Sequence, residues 1–465
     1  MTELKKVIKL RTVISTSTGM AIATSCYLAG IQLATILVGE LAWISILLAG
    51  FLCLLSSMCF SELTSLYPSA AGIKLYIQNA FNEKLSIIIG MFYVILGISM
   101  VGAESYLLAS VLSGTFQIFN PFYDKFLWIL FFIVFVGLIN LRGVYITGVI
   151  QDIMTYSMVA FMIGVSIYTF ATHDINISLA AQSAKFTLEN IIQAAGVGVF
   201  LFVGYEWVTP LAEETTDYGL IGKGMLWAIG LLTITYSLFI TAMFVGLTPA
   251  QLASGTQIPH IVFGTNLFGV AGTISFIVMS ILASVTSFNS GLLNTSRFSY
   301  AMGRDNVLPR FFSKLHPTYA TPWVSIIFLG VFAIVISLAT LYTGKYLFII
   351  LMAAALECFI YVVAAVCVIK LRKKYPEKKR SFKIPLGHTI PIIVIVVFTG
   401  LMIGIFTDVS RDYMGRELFK NYWVAVVMGG CFLCMILYTL IVVPIFKKKA
   451  EEKAKTRVKR RPGKG

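Results

Sequence analysis

Twelve apolar stretches, each about long enough to cross the hydrocarbon core of a bilayer, constrain what this chain can become. A helix rises about 1.5 Å per residue, so roughly 18 to 20 apolar residues span about 30 Å of lipid. Such windows run approximately over 14–38, 44–66, 85–116, 126–141, 149–172, 191–211, 225–247, 269–302, 322–341, 346–371, 389–407 and 422–446, the fourth being the shortest. Charged residues make up 12% of the chain, about half the share of an ordinary soluble domain. Lipid offers no partner to a backbone amide, so each span must satisfy its own. The expected fold is an all-α polytopic membrane protein with twelve transmembrane helices. Residues 1–12 are polar and basic, with no cleavable leader pattern, so the first span is expected to act as its own insertion signal.

The net charge of +15 would suggest nucleic acid in a soluble protein, but its placement argues for a membrane. Basic residues cluster at Lys5, Lys6, Lys9 and Arg11, between Lys370 and Lys383, and from Lys447 to Lys464. With twelve spans these segments fall on one side. Only six of the 36 lysines and arginines fall on the other: Lys125, Lys185, Lys345, Arg411, Arg416 and Lys420. By the positive-inside rule both termini are expected to be cytoplasmic, in a multi-pass plasma membrane protein. The basic tail reads as attraction to anionic membrane lipid rather than to nucleic acid. All seven cysteines lie in apolar spans, and the Cys431/Cys434 pair reads as small packing residues. The four histidines stand at span edges. Neither a metal centre, a cofactor, a nucleotide loop nor a catalytic pair is suggested, so an enzyme or an ATP-driven pump has no support.

Against this regular background the sixth span is interrupted. Gly196 to Thr216 reads GVGVFLFVGYEWVTPLAEETT, broken midway at Val203, Gly204, Tyr205, Glu206 and Trp207, with Pro210 beyond and Glu213 and Glu214 at its end. A helix unwound at membrane depth persists only where protein, water or a ligand satisfies the freed backbone, which makes the break a candidate binding site. A packed kink would leave a similar trace, but an intramembrane glutamate favours function. The first span is irregular too. Ser15 to Gly19 open it, and Ala23, Thr24, Ser25 and Cys26 occupy its middle, either as a second break or for close helix packing. The first and sixth spans hold corresponding places in two five-helix halves, the arrangement in which transporters place a site between inverted repeats. Residues 68–84 are too short and polar to cross and are expected to form a cytoplasmic amphipathic segment.

Four segments resemble the amino acid-polyamine-organocation superfamily of secondary transporters. They are SELTSLYPSAAGIKLYIQNAF (61–81), FLFVGYEWVTPLAEE (200–214), NTSRFSYAMGRDNVLPRFFSKLHPTYATP (294–322) and KLRKKYPEKKRSFKIPLG (370–387), and the likeness extends through at least the tenth span. The resemblance implies two inverted five-helix repeats (13–172 and 190–371) after a cytoplasmic N-terminus (1–12). A cytoplasmic linker (372–388), two peripheral helices (389–446) and a basic tail (447–465) would follow. It also implies alternating access around a midplane site. Carried over by position, the substrate carboxylate falls on Thr24, Ser25 and Cys26, and the ammonium on Ile22, Phe202 and Val203 beside Gly204. Phe200 would be the aromatic gate. The family's first-span Gly-small-Gly motif reads Thr24-Ser25-Cys26 here, so side chains stand where backbone would meet the ligand, and the substrate could be unusual.

Glu104, Glu206 and Glu357 lie well inside spans. A glutamate at the bilayer centre costs about 2.5 to 3.5 kcal/mol on the insertion scale, so all three are expected to face the interior. Glu206 matches the position of a functional glutamate in basic-amine antiporters of the superfamily, and Glu104 lies near an acidic position of cationic amino acid members. Both are expected to contact substrate, and Glu206 to take part in coupling, whereas Glu357 reads as a hydrogen-bonded structural glutamate. The fifth span, QDIMTYSMVAF (151–161), has no lysine; Met158 stands about where some proton-coupled members carry one. Ser284 and Ser287 would complete a sodium site with first-span carbonyls, unless they merely bond the preceding turn. The expectation is a cationic amino acid or polyamine transporter working by exchange or by H+- or Na+-coupled symport, as a monomer or homodimer. A neutral amino acid permease and a transporter-like receptor remain as alternatives.

Overall fold

The computed structural model describes residues 4–23, 26–27, 42–173, 195–196, 198–248, 251, 258–407, 409–411 and 417–459. Within these, ten helices are long and apolar enough to cross a membrane. The chain begins with an extended segment leading into α1 (Leu10–Ala21), then α2 (Ala42–Leu66), a short α3 (Gly72–Ala80), α4 (Glu83–Thr115), α5 (Pro121–Leu141) and α6 (Val144–Thr172). A 3-10 helix (Tyr205–Glu214) precedes α7 (Gly219–Gly246), α8 (Pro259–Arg304), α9 (Trp323–Thr343), α10 (Tyr346–Lys374) and α11 (Thr389–Thr407). A two-stranded hairpin of β1 (Val409–Arg411) and β2 (Glu417–Lys420), absent from the sequence reading, leads to α12 (Tyr422–Leu437) and α13 (Val443–Lys459).

Local chemistry marks several ends. Asn120 caps α5, its side chain accepting from the amides of Phe122 and Tyr123, with Pro121 in the first turn where no amide is needed. Asn82 caps α4 by accepting from the amide of Leu85. Helix α8 is 46 residues long and bends at Gly269, whose backbone (φ 59, ψ −138) is open to glycine. The bend thus falls at the start of the apolar window over 269–302. Between α12 and α13 a π turn (Tyr438–Val442) precedes Pro444, which has no amide to donate to the preceding turn.

Helix α3 lies within the 68–84 segment. Ile73, Lys74, Tyr76 and Ile77 are buried, so one face of it packs into the protein. The reason is its contacts: Thr64 and Tyr76 hydroxyls pair at 2.9 Å, and the buried Lys74 is paired with Asp305 after α8. Cys434 is exposed on α12, so it fills no gap among the described residues, while Cys431 is half-buried.

One end of the bundle is tied by ion pairs. Arg297 meets Glu214 at 2.9 Å with both side chains buried, and Arg304 grips Glu213, which also accepts from Ser69 and the amide of Ala70. The N-terminal strand-like segment docks on the same place: the amides of Val7 and Ile8 donate to the Glu214 carbonyl, and Thr216 N–H donates to Ile8. Glu62 at the end of α2 accepts from Arg372 (2.8 Å) and from the amide of Ile384 (2.8 Å) and pairs with Arg380 (3.2 Å). Its hydrogen bonds hold the Arg372 guanidinium above its usual range. One carboxylate thus ties three points of the 372–388 segment, Arg372, Arg380 and Ile384, to α2. Glu62→Ala is expected to raise the rate of tryptic cleavage in that linker at least tenfold, and unchanged cleavage would show the linker is held elsewhere.

Candidate functional site

Both irregular spans break. Helix α1 ends at Ala21, and Ile22 turns extended (φ −83, ψ 103). In the sixth span residues 198–204 form tight turns whose amides reach back three residues: Leu201 to Gly198, Phe202 to Val199, Val203 to Phe200. Gly204 then reverses the chain (φ 111, ψ −9) into the 3-10 helix. Sequence explains this: Gly204 supplies the left-handed conformation and Pro210 denies the following turn an α-helical amide.

The two breaks touch. A Cβ added to Gly204 would lie 2.6 Å from the Met20 Cγ atom. The Ser17 hydroxyl donates to the Tyr205 carbonyl at 3.0 Å. Around the end of α1 the Ala21 carbonyl, which has no partner in its own helix, accepts from Tyr236 of α7 (2.9 Å) and from the Cys26 thiol (3.1 Å). Phe202 packs edge-on to Tyr236, with ring centroids 6.0 Å apart. Ile22, Cys26, Phe202 and Val203 are all buried here, and Phe200 is half-buried against the same apolar core. Glu104 of α4 is buried within electrostatic reach of Tyr27 and Tyr236. Thr24 and Ser25 lie outside the described residues.

Glu206 keeps different company. It points toward α10, where the Tyr361 hydroxyl donates to its Oε2 at 3.1 Å. Next to it the Trp207 indole N–H donates to Glu357 Oε1 at 2.7 Å. Tyr93 stacks on Trp207 with ring centroids 3.9 Å apart, and Ser56 of α2 pairs with the Tyr205 hydroxyl. The structure therefore groups Glu104 with the first-span break and Glu206 with Glu357, Trp207 and Tyr361.

Of the two serines expected at an ion site, Ser287 donates to the Met20 carbonyl at 3.2 Å, and Ser284 is buried nearby on α8. Ser290, one turn on, donates to the Thr16 carbonyl at 3.1 Å. In α6, Met158 is fully buried, as its apolar character requires. A polar layer that sequence reasoning passed over lies two turns before it. Asp152 accepts from Thr12 and Ser15 and pairs with Arg11 at 2.9 Å. Gln151 and Thr155 donate to the Ser15 carbonyl, and Asn289 links Gln151 to Asn140. The signal was present in adjacent Gln and Asp residues at the start of the 149–172 window, but it showed no partner until α1 was placed against them.

Comparison with known proteins gives this architecture a family. The sequence pattern of the family described as amino acid permease matches residues 8–449. The chain belongs to the amino acid permease family. This permease is therefore a transporter-family membrane protein and not an enzyme, with multiple membrane-crossing helices. It is 26% identical over 397 residues to the methylthioribose transporter of Bacillus subtilis (81% of this permease, 83% of the relative). It is 24% identical over 431 residues to the branched-chain amino acid permease BcaP of the same organism (87% and 85%). Its fold is shared with the Eremococcus coleocola manganese transporter, solved with an aromatic bis-isothiourea substituted compound. That match has a TM-score of 0.58 and 12% identity and covers 96% of the permease and 98% of the transporter.

Proposed function

We propose that this permease is a secondary active transporter that binds an amino acid or related amine between the two helix breaks and releases it by alternating access. The observation that carries the reading is the junction of the breaks, where the last carbonyls of α1 and the turn at 198–204 meet at Gly204 and Met20. Freed carbonyls suit an ammonium group, and freed amides beyond a break suit a carboxylate. In this reading Ile22, Phe202, Val203 and Gly204 receive the ammonium, Thr24, Ser25 and Cys26 the carboxylate, and Phe200 closes over both. Buried Glu104 beside the first break favours a substrate with a second positive charge, such as a basic amino acid or a diamine. Glu206 serves coupling. A sodium ion at Ser284 and Ser287 is less favoured, because the Ser287 hydroxyl is committed to Met20. We place the protein in the plasma membrane with the basic segments and both termini in the cytoplasm.

The test is a thermal-shift screen of the purified protein against amino acids and amines, with Glu104→Gln alongside. At a ligand concentration a hundred times Kd, binding to the folded state adds about 2.7 kcal/mol. Arginine, lysine, ornithine or putrescine is expected to raise the wild-type Tm and to lose at least tenfold in affinity in Glu104→Gln. If only neutral amino acids stabilise, and equally in the variant, the cationic preference is wrong. The protein would then be a neutral amino acid permease, in keeping with what the BcaP relative's name states of that protein.

A further inference from the structure

Glu206 and Glu357 present an arrangement that ordinary packing does not explain. Both are fully buried, one at the break in the sixth span and the other on α10. Each uses one oxygen outward, Glu206 Oε2 to Tyr361 and Glu357 Oε1 to Trp207. The other two oxygens, Glu206 Oε1 and Glu357 Oε2, meet no N–H or hydroxyl donor among the described residues. The two carboxyl groups lie within hydrogen-bonding reach of each other, as the bonds from adjacent Trp207 to Glu357 and from Tyr361, one turn along α10 from Glu357, to Glu206 require. An ionised carboxylate only accepts, so a bond between two of them requires a proton in the middle. Without it, two like charges would face each other in a medium of low dielectric.

The backbone at Gly204 and Glu206 also lies within hydrogen-bonding reach of the Glu206 carboxyl, which is polar company but carries no charge. Tyr205 of the 3-10 helix, Tyr93 of α4, Tyr361 and Cys358 of α10 and Cys53 of α2 are the titratable groups acting on the pair. None of these is a cation. We propose that Glu206 and Glu357 form one proton-binding site, a single proton shared between two carboxyls that joins the broken span to α10. The site needs both residues: Glu357, which looks structural from sequence, is half of it. When the proton is present, the pair is a latch between two elements. When it leaves, the carboxylates repel and the 3-10 segment is pushed away from α10. The proton is thus the coupling ion of the transport cycle, a role that rests on the transporter reading above, whereas the site itself does not.

The experiment is infrared difference spectroscopy on the purified, substrate-free protein, comparing wild type with Glu206→Gln, Glu357→Gln and the double variant across pH. A glutamine at either position still accepts from its outer partner and can donate an amide hydrogen to the remaining carboxylate, so the shared proton is no longer required. The expected result is loss of the same one carboxylic acid C=O band in both single variants, with no second band lost in the double. In wild type that band should bleach reversibly as pH is raised. Survival of the band in either single variant would mean that one glutamate holds its own proton, and loss of two bands in the double would mean two independent acids. Either outcome overturns the shared site. A band that alkaline pH removes only with unfolding would overturn the ion-binding role. Should one variant fail to fold, the other and the wild-type titration decide alone. Because no substrate enters the measurement, a failed ligand screen leaves this result standing, and the reverse is also true.

Discussion

Gly204→Ala is expected to reduce substrate uptake into proteoliposomes by more than tenfold and to lower the Tm by several degrees. Two costs act together. At φ 111 and ψ −9 the backbone lies where L-residues are strained, a penalty of about 1 to 3 kcal/mol. The added Cβ would also stand 2.6 Å from Met20 Cγ, closer than atoms pack without movement, with Met20 Cβ and carbonyl carbon in contact behind it at 3.4 and 3.5 Å. Overpacking of this kind costs about 1 to 3 kcal/mol more. Met20 cannot yield freely, because its carbonyl accepts from Ser287 and it directly precedes Ala21, whose carbonyl holds Tyr236 and Cys26. Relief of the clash therefore displaces the end of α1 itself, the place where substrate is proposed to bind. Gly230→Ala is the control. That glycine lies on α7 with nothing within 4 Å of a new Cβ, so its substitution should change the Tm little and uptake not at all. Wild-type uptake in Gly204→Ala would show that the two breaks do not depend on close approach.

The reasons some features were legible in the sequence and others were not lie in the range of the forces involved. Hydropathy acts over a window, so the spans that are described as long helices fall close to the apolar stretches, and the bend at Gly269 coincides with the start of the eighth. Gly204 and Pro210 are local backbone statements, and they put the break of the sixth span where it is seen. The partners of buried polar groups are a different matter. Glu357 lies 150 residues from Trp207, and Asp152 lies 137 from Ser15, so no local pattern joins them. Lys74 sits in an amphipathic segment whose buried face no local pattern assigns to a lysine, yet it is buried where Asp305, 231 residues away, meets it. Glutamates at 104 and 206 look alike along the chain. Only packing separates one beside the first-span break from one locked against α10.

The second large effect is expected at Arg297 and Glu214. Their side chains are 0% and 1% exposed, against 43% and 24% for the neighbouring Arg304 and Glu213 pair. Removing one member of a buried pair strands the other charge without water, at a cost of about 3 to 5 kcal/mol. An exposed pair contributes roughly 0 to 1 kcal/mol. Arg297→Met should therefore cut the yield of monodisperse protein severely, whereas Arg304→Ala should be mild. More than two side chains are involved. The Glu214 carbonyl receives the amides of Val7 and Ile8, and Arg297 also donates to Ser296 and to the Leu293 carbonyl. A stranded Glu214 would draw in water and loosen the N-terminal segment from the end of the 3-10 helix, shifting the base on which the broken span stands. The double variant Arg297→Met with Glu214→Leu separates charge from shape. Replacing both members of a buried pair by apolar residues is often neutral, so the double variant should recover most of the Tm lost by Arg297→Met. A double variant no better than the single would assign the effect to packing and to the lost Ser296 and Leu293 contacts. Equal mildness of Arg297→Met and Arg304→Ala would mean that the Arg297 site is already hydrated, contrary to its burial.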